Sequence, residues 1–255
     1  MTQTLLIELR TEELPPKALN NLGNSLAAAV VESLAKEQLL DGEPQYHVYA
    51  TPRRLAMMVK NVKAVQADQH VVRKGPSVTA GMKDGAPTKA LDGFARSAGT
   101  SVAELKIIHD GKQDIYAHEF TQTGQSLAAL LSDILTQALK KLPIPKVMRW
   151  GSSTHTFVRP VHGLVMMHGT DTISGSVLGL DSQNWTLGHR FLSTETVVFQ
   201  HADDYATQLH NEGKVIAPFA ERREVIEHGL NRLSASLNAT VATDTALLDE
   251  VTALV

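Results

Sequence analysis

Apolar and polar residues follow each other along the first part of the chain in patterns that predict a strand and then a helix. Thr4 to Leu9 interleaves apolar and polar side chains, which is typical of a short strand. Pro15 and Pro16 suit the first turn of a helix because their fixed φ matches that of a helix. The following apolar residues lie on one side of a helix that we expect to end before Asp41-Gly42: Leu19, Leu22, Leu26, Val30 and Leu34.

The next segments predict short strands, a loop and a hairpin. Val48-Tyr49 and Leu55 to Val59 have the pattern of two strands, and residues 73–88, rich in Gly, Pro, Lys and Ser, are typical of a loop. A short helix is predicted around Ala90 to Ser97, ending at Gly99. Residues 106–120 predict a hairpin, with Asp110-Gly111 at its turn.

The second half of the chain begins and ends with helical patterns. Ser126 to Leu142 has one apolar face and is stopped by Pro143. Residues 157–199 alternate turns with short β-rich runs, which indicates antiparallel sheet. Helices are predicted at Ala202 to Leu209, at Ala217 to Leu237 and after an N-cap at Thr243 or Asp244.

Together these elements predict an α+β fold in which a mixed or antiparallel sheet packs against helices and a helical segment follows. We expect a module at residues 1–200 and the helical start of a following region at 201–255. The last predicted helix presents Leu247, Leu248, Val251 and Leu254 on one side and has no closing Gly, Lys or Pro. We therefore expect the chain to be part of a longer protein.

The amino-acid composition limits the kinds of functional site that this chain can contain. The chain has 255 residues, 43% hydrophobic and 20% charged, and contains no cysteine, which excludes disulfides, Cys-bound metals and a thiol nucleophile. No apolar run reaches the roughly 18 residues of a membrane span, so we expect a cytoplasmic protein. The net charge of −3 conceals two basic segments: residues 51–96 have nine basic and three acidic residues, and 134–199 have six and three. If these segments meet, they form a surface for phosphates.

Three clusters within the basic segments are candidates for anion binding. Thr51-Pro52-Arg53-Arg54 places two guanidinium groups on opposite faces of an extended chain, or it is a charged strand edge. Arg149-Trp150, followed by Arg159 and His162, combines phosphate contact with a ring for stacking, or Arg149 and Trp150 form a structural pair. Gly188-His189-Arg190-Phe191 permits close backbone approach, although a strand bulge also explains it.

Seven segments, in this order, resemble the β subunit of the bacterial two-subunit glycyl-tRNA synthetase. They are Leu5 to Pro16, Thr51 to Leu55, Lys74-Gly75-Pro76, Ala90 to Arg96, Met148 to Gly151, Phe157 to His162, and Gly188 to Phe191. The resemblance spans essentially the whole chain. One departure is Gly163, a position where we would expect a larger, often aromatic residue in many relatives.

The resemblance implies an enzyme that joins glycine to its tRNA with ATP in an α₂β₂ assembly. ATP, Mg and glycine would be bound by the α subunit, and the β subunit would handle tRNA and hold the assembly together. Its N-terminal region is similar to the B3/B4 module of the phenylalanyl-tRNA synthetase β subunit. We therefore expect this ligase chain, active in protein biosynthesis, to have as partners the α subunit and the tRNA for glycine, and no membrane.

Within this chain we expect no catalytic residue, no cofactor and no metal site. The residues expected to contact tRNA or another polyanion are Arg53, Arg54, Lys74, Arg149, Trp150, Arg159 and Arg190. One alternative is a pure scaffold that docks the α subunit, with Arg149 and Arg190 buried in pairs with carboxylates. The other is a vestigial, editing-like hydrolytic pocket formed by His162 and His189.

Overall fold

The computed structural model describes residues 2–193, 196–242 and 244–255. The chain forms two compact units, the first made of Met1–Gln66 and Gln125–Val255, the second of Ala67–Gly124. The expected boundary at residue 200 stays a prediction. Because the division falls at residues 66 and 124, the basic segment 51–96 is shared between the two units.

The elements alternate between helices and strands and confirm an α+β fold. The strands are β1 (Thr2–Thr11), β2 (Tyr46–Thr51), β3 (Arg54–Lys63), β4 (Gln69–Ser77), β5 (Met82–Lys83), β6 (Ala86–Pro87), β7 (Lys106–His109), β8 (Asp114–Gln122), β9 (Met148–Arg149), β10 (Thr156–Phe157), β11 (Val161–His168), β12 (Asp171–Thr172), β13 (Ser176–Val177), β14 (Leu180–Gln183), β15 (Trp185–Leu187) and β16 (Thr196–Val198). The helices are α1 (Pro16–Lys36), α2 (Val78–Gly81), α3 (Lys89–Ala98), α4 (Leu127–Lys140), α5 (Tyr205–Asn211), α6 (Phe219–Ser236) and α7 (Thr245–Thr252), with 3₁₀ turns at Val102–Glu104 and Ala202–Asp204.

The largest sheet among the described residues has seven strands and belongs to the first unit. Its order is β13-β14-β11-β1-β3-β2, with β12 also paired to β11. The neighbours are antiparallel except for β11 and β14, which are parallel. The antiparallel pattern expected over residues 157–199 is therefore interrupted once, because the chain turns back through β12 and β13 before β14 begins.

Both faces of this sheet are covered, so β1 is buried along most of its length. Leu5 and Ile7 face a core built with α1 and α4, whereas Leu6 faces a second core that contains Phe199 and Tyr205. Strands that are buried on both faces have nearly continuous apolar sequences. Glu8 interrupts this run on the side of the second core, and it is only 1% exposed.

The second unit contains the sheet β4-β8-β7, the hairpin β5-β6 and the helices α2 and α3. The prediction of a loop at residues 73–88 is wrong, because most of this segment is strand and helix. Gly75 and Pro76 lie at a register shift between Lys74 and Ser77, where the ladder with β8 is interrupted. Gly75 also lies against Phe94, where a Cβ would be 2.6 Å from the ring.

The three C-terminal helices are confirmed, and Asp244 caps α7 by accepting a hydrogen bond from the amide of Leu247. Thr243, the other N-cap candidate, lies outside the described residues. The apolar face of α6 is largely exposed in the first unit: Val225 is 56% and Leu233 59% exposed, and Leu237, directly after the helix, is 75% exposed. Among the helices that the structure describes, none combines the length and apolarity needed to cross a membrane.

Candidate functional site

A cleft of about 660 Å³ opens in the first unit and brings residues from both basic segments together. Its walls come from the start of α1, the β2–β3 turn, the loop after β15, the segment before α6, and α6 with the end of the chain. The sequence-predicted residues that line it are Arg53, Arg54, Arg159, His189 and Arg190. The cleft therefore brings together members of all three predicted clusters, although Arg149, Trp150 and His162 of the second cluster do not line it.

A buried polar cluster lies beside the cleft and is centred on Glu8. Its carboxylate accepts hydrogen bonds from the hydroxyls of Thr186 and Tyr205, and the Tyr205 distance is 2.5 Å. The Nε of Arg54 lies 3.5 Å from Glu8 Oε2. Burial and the nearby carboxylate raise the pKa of the Tyr205 phenol well above its ordinary value, so this phenol stays a donor.

Arg54 differs from what its sequence position indicates. Its strand, β3, lies between β1 and β2, so the alternative of a charged strand edge is wrong. The side chain is 4% exposed, pairs with Glu8, and donates a 2.5 Å hydrogen bond to the carbonyl of Leu187. That carbonyl immediately precedes Gly188, so Arg54 holds the start of the Gly188 to Phe191 loop.

Arg53, by contrast, points to the surface and is matched by carboxylates. It forms an ion pair with Glu12 and lies 3.7 Å from Glu13. Glu12 also contacts Nε2 of His162 at 3.1 Å. The local charge is therefore close to balanced. His162 does not line the cleft and is engaged by Glu12, so the two histidines proposed for a hydrolytic pocket are held by different partners.

Two glycines fix the position of the loop that follows β15. A Cβ on Gly188 would lie 2.6 Å from both the Cα and the carbonyl oxygen of Gly213, and the amide of His189 donates to that carbonyl at 2.6 Å. The close backbone approach that the sequence predicts is confirmed. It brings the loop against the segment that contributes Lys214 to the cleft.

The His189 ring has a defined orientation. Its Nδ1 accepts hydrogen bonds from the amides of Phe191 and Leu192, at 3.2 and 3.1 Å. An amide can only donate, so in the neutral ring the proton is on Nε2. His189 consequently presents a hydrogen-bond donor to its surroundings while its other nitrogen holds the loop.

Three other cations of the cleft are less engaged than Arg53 and Arg54. Arg159 donates to the carbonyls of Glu13 and Val158, each at 2.9 Å, and Lys214 donates to the carbonyl of Asn211 at 2.6 Å. Arg190 is exposed, with its guanidinium carbon 5.8 Å from the centre of the Phe191 ring. Within the described ranges no carboxylate forms an ion pair with these three cations.

Three predicted contact residues lie elsewhere. Lys74 is exposed on β4 of the second unit. Arg149 is exposed on β9, while Trp150 is half-buried and packs against the main core. The scaffold alternative expected Arg149 and Arg190 to be buried in pairs, and this is wrong because both are exposed. The buried pair of this kind is Arg54 with Glu8.

Sequence reasoning missed two cations that line the cleft, Lys214 and Arg222. Arg222 is 6% exposed and donates to the carbonyls of Ala50 at 2.7 Å, Ile216 at 2.9 Å and Thr252 at 3.1 Å. Burial lowers its pKa to about 10. In the sequence it stands in a charged run with the pattern of a solvated helix face, so no local signal predicts its burial.

Metal ligands are not clustered in the part of the chain that the structure describes: no three His, Asp or Glu side chains there are placed to hold one ion. The cleft instead combines nitrogen donors with apolar walls from Val225 and Ile226 of α6. Such a lining suits an anion that has an apolar or aromatic part.

Comparisons with known proteins agree on one family. A family model described as "Glycyl-tRNA synthetase beta subunit" matches residues 5–255. A glycine–tRNA ligase beta subunit of Neisseria meningitidis serogroup C (strain 053442) is 66% identical over the whole chain. Its counterparts in Chromohalobacter salexigens and Shewanella halifaxensis are 41% and 38% identical over 98% and 99% of the chain.

The chain spans 37% of the length of the Neisseria relative, and 36% and 37% of the other two. The matched region begins at Leu5 and includes every segment on which the resemblance rests. The chain belongs to the glycyl-tRNA synthetase beta subunit family.

Proposed function

We propose that the chain is part of a glycine–tRNA ligase β subunit and supports ATP-dependent joining of glycine to tRNA through tRNA contact and subunit assembly. The observation that carries this proposal is the family match over residues 5–255, together with relatives of the same name at 38–66% identity. The chain itself acts as a binding part of the enzyme and contributes no catalytic group.

The partners in this proposal are an α subunit, in an α₂β₂ assembly, and the tRNA for glycine. ATP, Mg and glycine are bound by the α subunit, where the chemical step takes place, in the cytoplasm. A direct test combines the full-length β subunit with its α partner and measures glycine attachment to tRNA. We expect charging that requires both subunits, and charging by the α subunit alone at an equal rate would contradict the proposal.

The tRNA contact that we propose rests on Arg149, Arg159 and Arg190, with Lys74 on the second unit. Within the described residues, no carboxylate forms an ion pair with the guanidinium group of any of these three arginines. Phosphate contacts release counterions, so each one makes binding more dependent on salt. Arg54 does not contact tRNA in this proposal because it is buried and paired with Glu8. Arg53 contributes less because Glu12 and Glu13 offset its charge.

Single Ala variants of Arg149, Arg159 and Arg190 in the full α and β assembly test this contact. For each true phosphate contact, tRNA affinity should fall and the slope of log K against log salt should decrease by about 0.7–0.9. Lys141→Ala is the matched control, because Lys141 is paired with Glu32 at 2.9 Å. Unchanged affinity and slope in all three arginine variants would contradict the proposal.

A further inference from the structure

Phe191 is exposed to a degree that packing does not explain. It is 82% exposed, whereas Phe157 and Phe199 are 2% and 0% exposed. The ring lines the cleft, and its only ring neighbours in the described residues are the tilted ring of His189 at 6.1 Å and the guanidinium of Arg190. The loop is nevertheless fixed, by the close approach of Gly188 to the chain at Gly213.

Most of the polar groups that line the cleft are cations or hydrogen-bond donors; Glu13 also lines it, with its carboxylate 3.7 Å from Arg53. Arg190 is adjacent, and Arg159 and Lys214 line the same cleft. His189 adds an Nε2–H donor, because its Nδ1 is the nitrogen that accepts hydrogen bonds from the loop amides. An aromatic face surrounded by cations is the arrangement with which proteins bind unpaired nucleotides, because the ring stacks on a base while the cations contact the phosphate.

We infer that the cleft receives one unpaired nucleotide of an RNA strand, with its base stacked on Phe191 and its phosphate beside Arg190. This inference rests on the proposed tRNA contact and specifies which part of the RNA is bound. A base inside a duplex is already stacked on both sides, so only a base outside a helix can use the ring.

The remaining features of the cleft agree with this ligand. Its volume, about 660 Å³, lies in the range of about 300–1,000 Å³ that is typical of sites for small organic groups. The Nε2–H of the neutral His189 ring can donate to an acceptor of the nucleotide, such as a ring nitrogen or the ribose 2′-hydroxyl. Val225 and Ile226 supply apolar surface for the ribose and base.

A folded tRNA offers such nucleotides from two sources, its unpaired 3′ end and its loops. The experiment uses the full-length β subunit assembled with its α partner and three RNAs. These are the intact tRNA for glycine, the same tRNA without its unpaired 3′ nucleotides, and the isolated anticodon stem-loop. The variants are Phe191→Ala and Phe191→Trp, with Leu192→Ala as the matched control, since Leu192 is a 67% exposed apolar neighbour.

We expect Phe191→Ala to weaken intact tRNA binding about 5- to 150-fold, the effect of losing one stacked base. The salt slope should not change, because the ring carries no charge. Phe191→Trp should bind within twofold of the parent protein, and Leu192→Ala likewise. Melting temperatures of the variants should match, since the ring is exposed.

The RNA arms identify the source. If the 3′ end is bound, its removal weakens binding to the parent protein and Phe191→Ala has no further effect. If the anticodon loop is bound, Phe191→Ala weakens binding to the stem-loop as well. If another loop is bound, Phe191→Ala weakens binding to the intact and the 3′-shortened tRNA and leaves binding to the stem-loop unchanged. Equal affinity of Phe191→Ala and the parent for all three RNAs overturns the inference, and so does an equal loss in Leu192→Ala. When the arginine variants lower the salt slope while Phe191→Ala has no effect, the inference fails and the proposed tRNA contact stands.

Discussion

Gly188 and Gly213 pack backbone against backbone, and this contact fixes the cleft. The space between them is smaller than a methyl group, because a Cβ on Gly188 would lie 2.6 Å from two backbone atoms of Gly213. Backbone atoms cannot move aside as a flexible side chain can. The loop that contains His189, Arg190 and Phe191 is therefore held in place by a backbone contact that only a glycine at position 188 permits.

Gly188→Ala should destabilise the first unit by about 1–3 kcal/mol, the usual cost of forcing an additional methyl group into a packed site. Gly229→Ala is the control: nothing lies within 4 Å of its Cβ position in α6, and alanine favours a helix by up to about 1 kcal/mol. Urea unfolding of the two variants measures both effects. Equal stability of Gly188→Ala and the parent would contradict the packing argument.

Arg53 and Arg54 are neighbours in the sequence, but their ion pairs contribute very different amounts to the stability of the fold. Arg54→Ala leaves Glu8 buried without its cation and should cost about 3–5 kcal/mol. Arg53→Ala removes a partly exposed ion pair and should cost no more than about 1 kcal/mol. Chemical unfolding of both variants gives the comparison, and similar losses would refute the assignment of Arg54 as the buried member.

A second pair of substitutions separates charge from packing. Replacing both Glu8 and Arg54 with apolar residues, as Glu8→Leu with Arg54→Met, should recover part of the stability lost in Arg54→Ala, because no uncompensated charge is left. Recovery is incomplete because the buried hydroxyls of Thr186 and Tyr205 lose their acceptor. The double variant should still lose order in the loop at Gly188, since the hydrogen bond from Arg54 to the Leu187 carbonyl is gone. Faster hydrogen exchange confined to this loop would be the signature.

The periodicity of apolar residues correctly predicted the helices that bury one continuous stripe of apolar side chains. α1 and α4 each face the main core, so a repeat every three or four residues is enough to predict them. Residues 73–88 escaped prediction because Gly75 and Pro76 occupy a register shift in a strand pair, and that shift depends on β8, about forty residues later. Local composition carries no information about such a partner.

The same limit applies to the cleft. Sequence motifs identified the loop at Gly188 and the arginine pair, but the burial of Arg54 depends on Glu8 and Tyr205, which are brought together by the sheet and α5. Arg222 is buried by carbonyl groups from three other segments. Charges of identical type are assigned different roles by contacts that are distant in sequence.

Tyr49 should make stability sensitive to alkaline pH. Burial raises the pKa of its phenol from 10 to about 12. A folded-state pKa above the unfolded value means that the stabilising contribution is complete below pH 10 and is lost as pH rises through 12. Arg222, with its pKa lowered to about 10, acts in the opposite direction over the same range.

The measurement is the difference in unfolding free energy between the parent and Tyr49→Phe, because other groups cancel in it. Between pH 9 and 11.5 the parent should lose about 2 kcal/mol relative to the variant, by the linkage between pKa and stability. A difference that does not change over this range would show that the phenol titrates alike in the folded and unfolded chains.

Arg10 occupies the space that a side chain at position 163 would fill. The two residues are directly opposite on β1 and β11, and a Cβ on Gly163 would lie 3.2 Å from Arg10 Nε. Arg10 is held there by a 3.0 Å hydrogen bond to the carbonyl of His162, and burial lowers the pKa of its guanidinium. The position of the Arg10 side chain thus depends on the absence of a side chain at Gly163.

Gly163→Phe should therefore destabilise the parent chain by about 1–3 kcal/mol, because the ring and the guanidinium compete for one space. In an Arg10→Ala background the same substitution should be close to neutral, since the ring then fills the vacated site and an aromatic residue favours a strand. A double-mutant cycle by urea unfolding should give a coupling of about 0.5–3 kcal/mol. An equal cost of Gly163→Phe in both backgrounds would mean that Arg10 is not what fills the space.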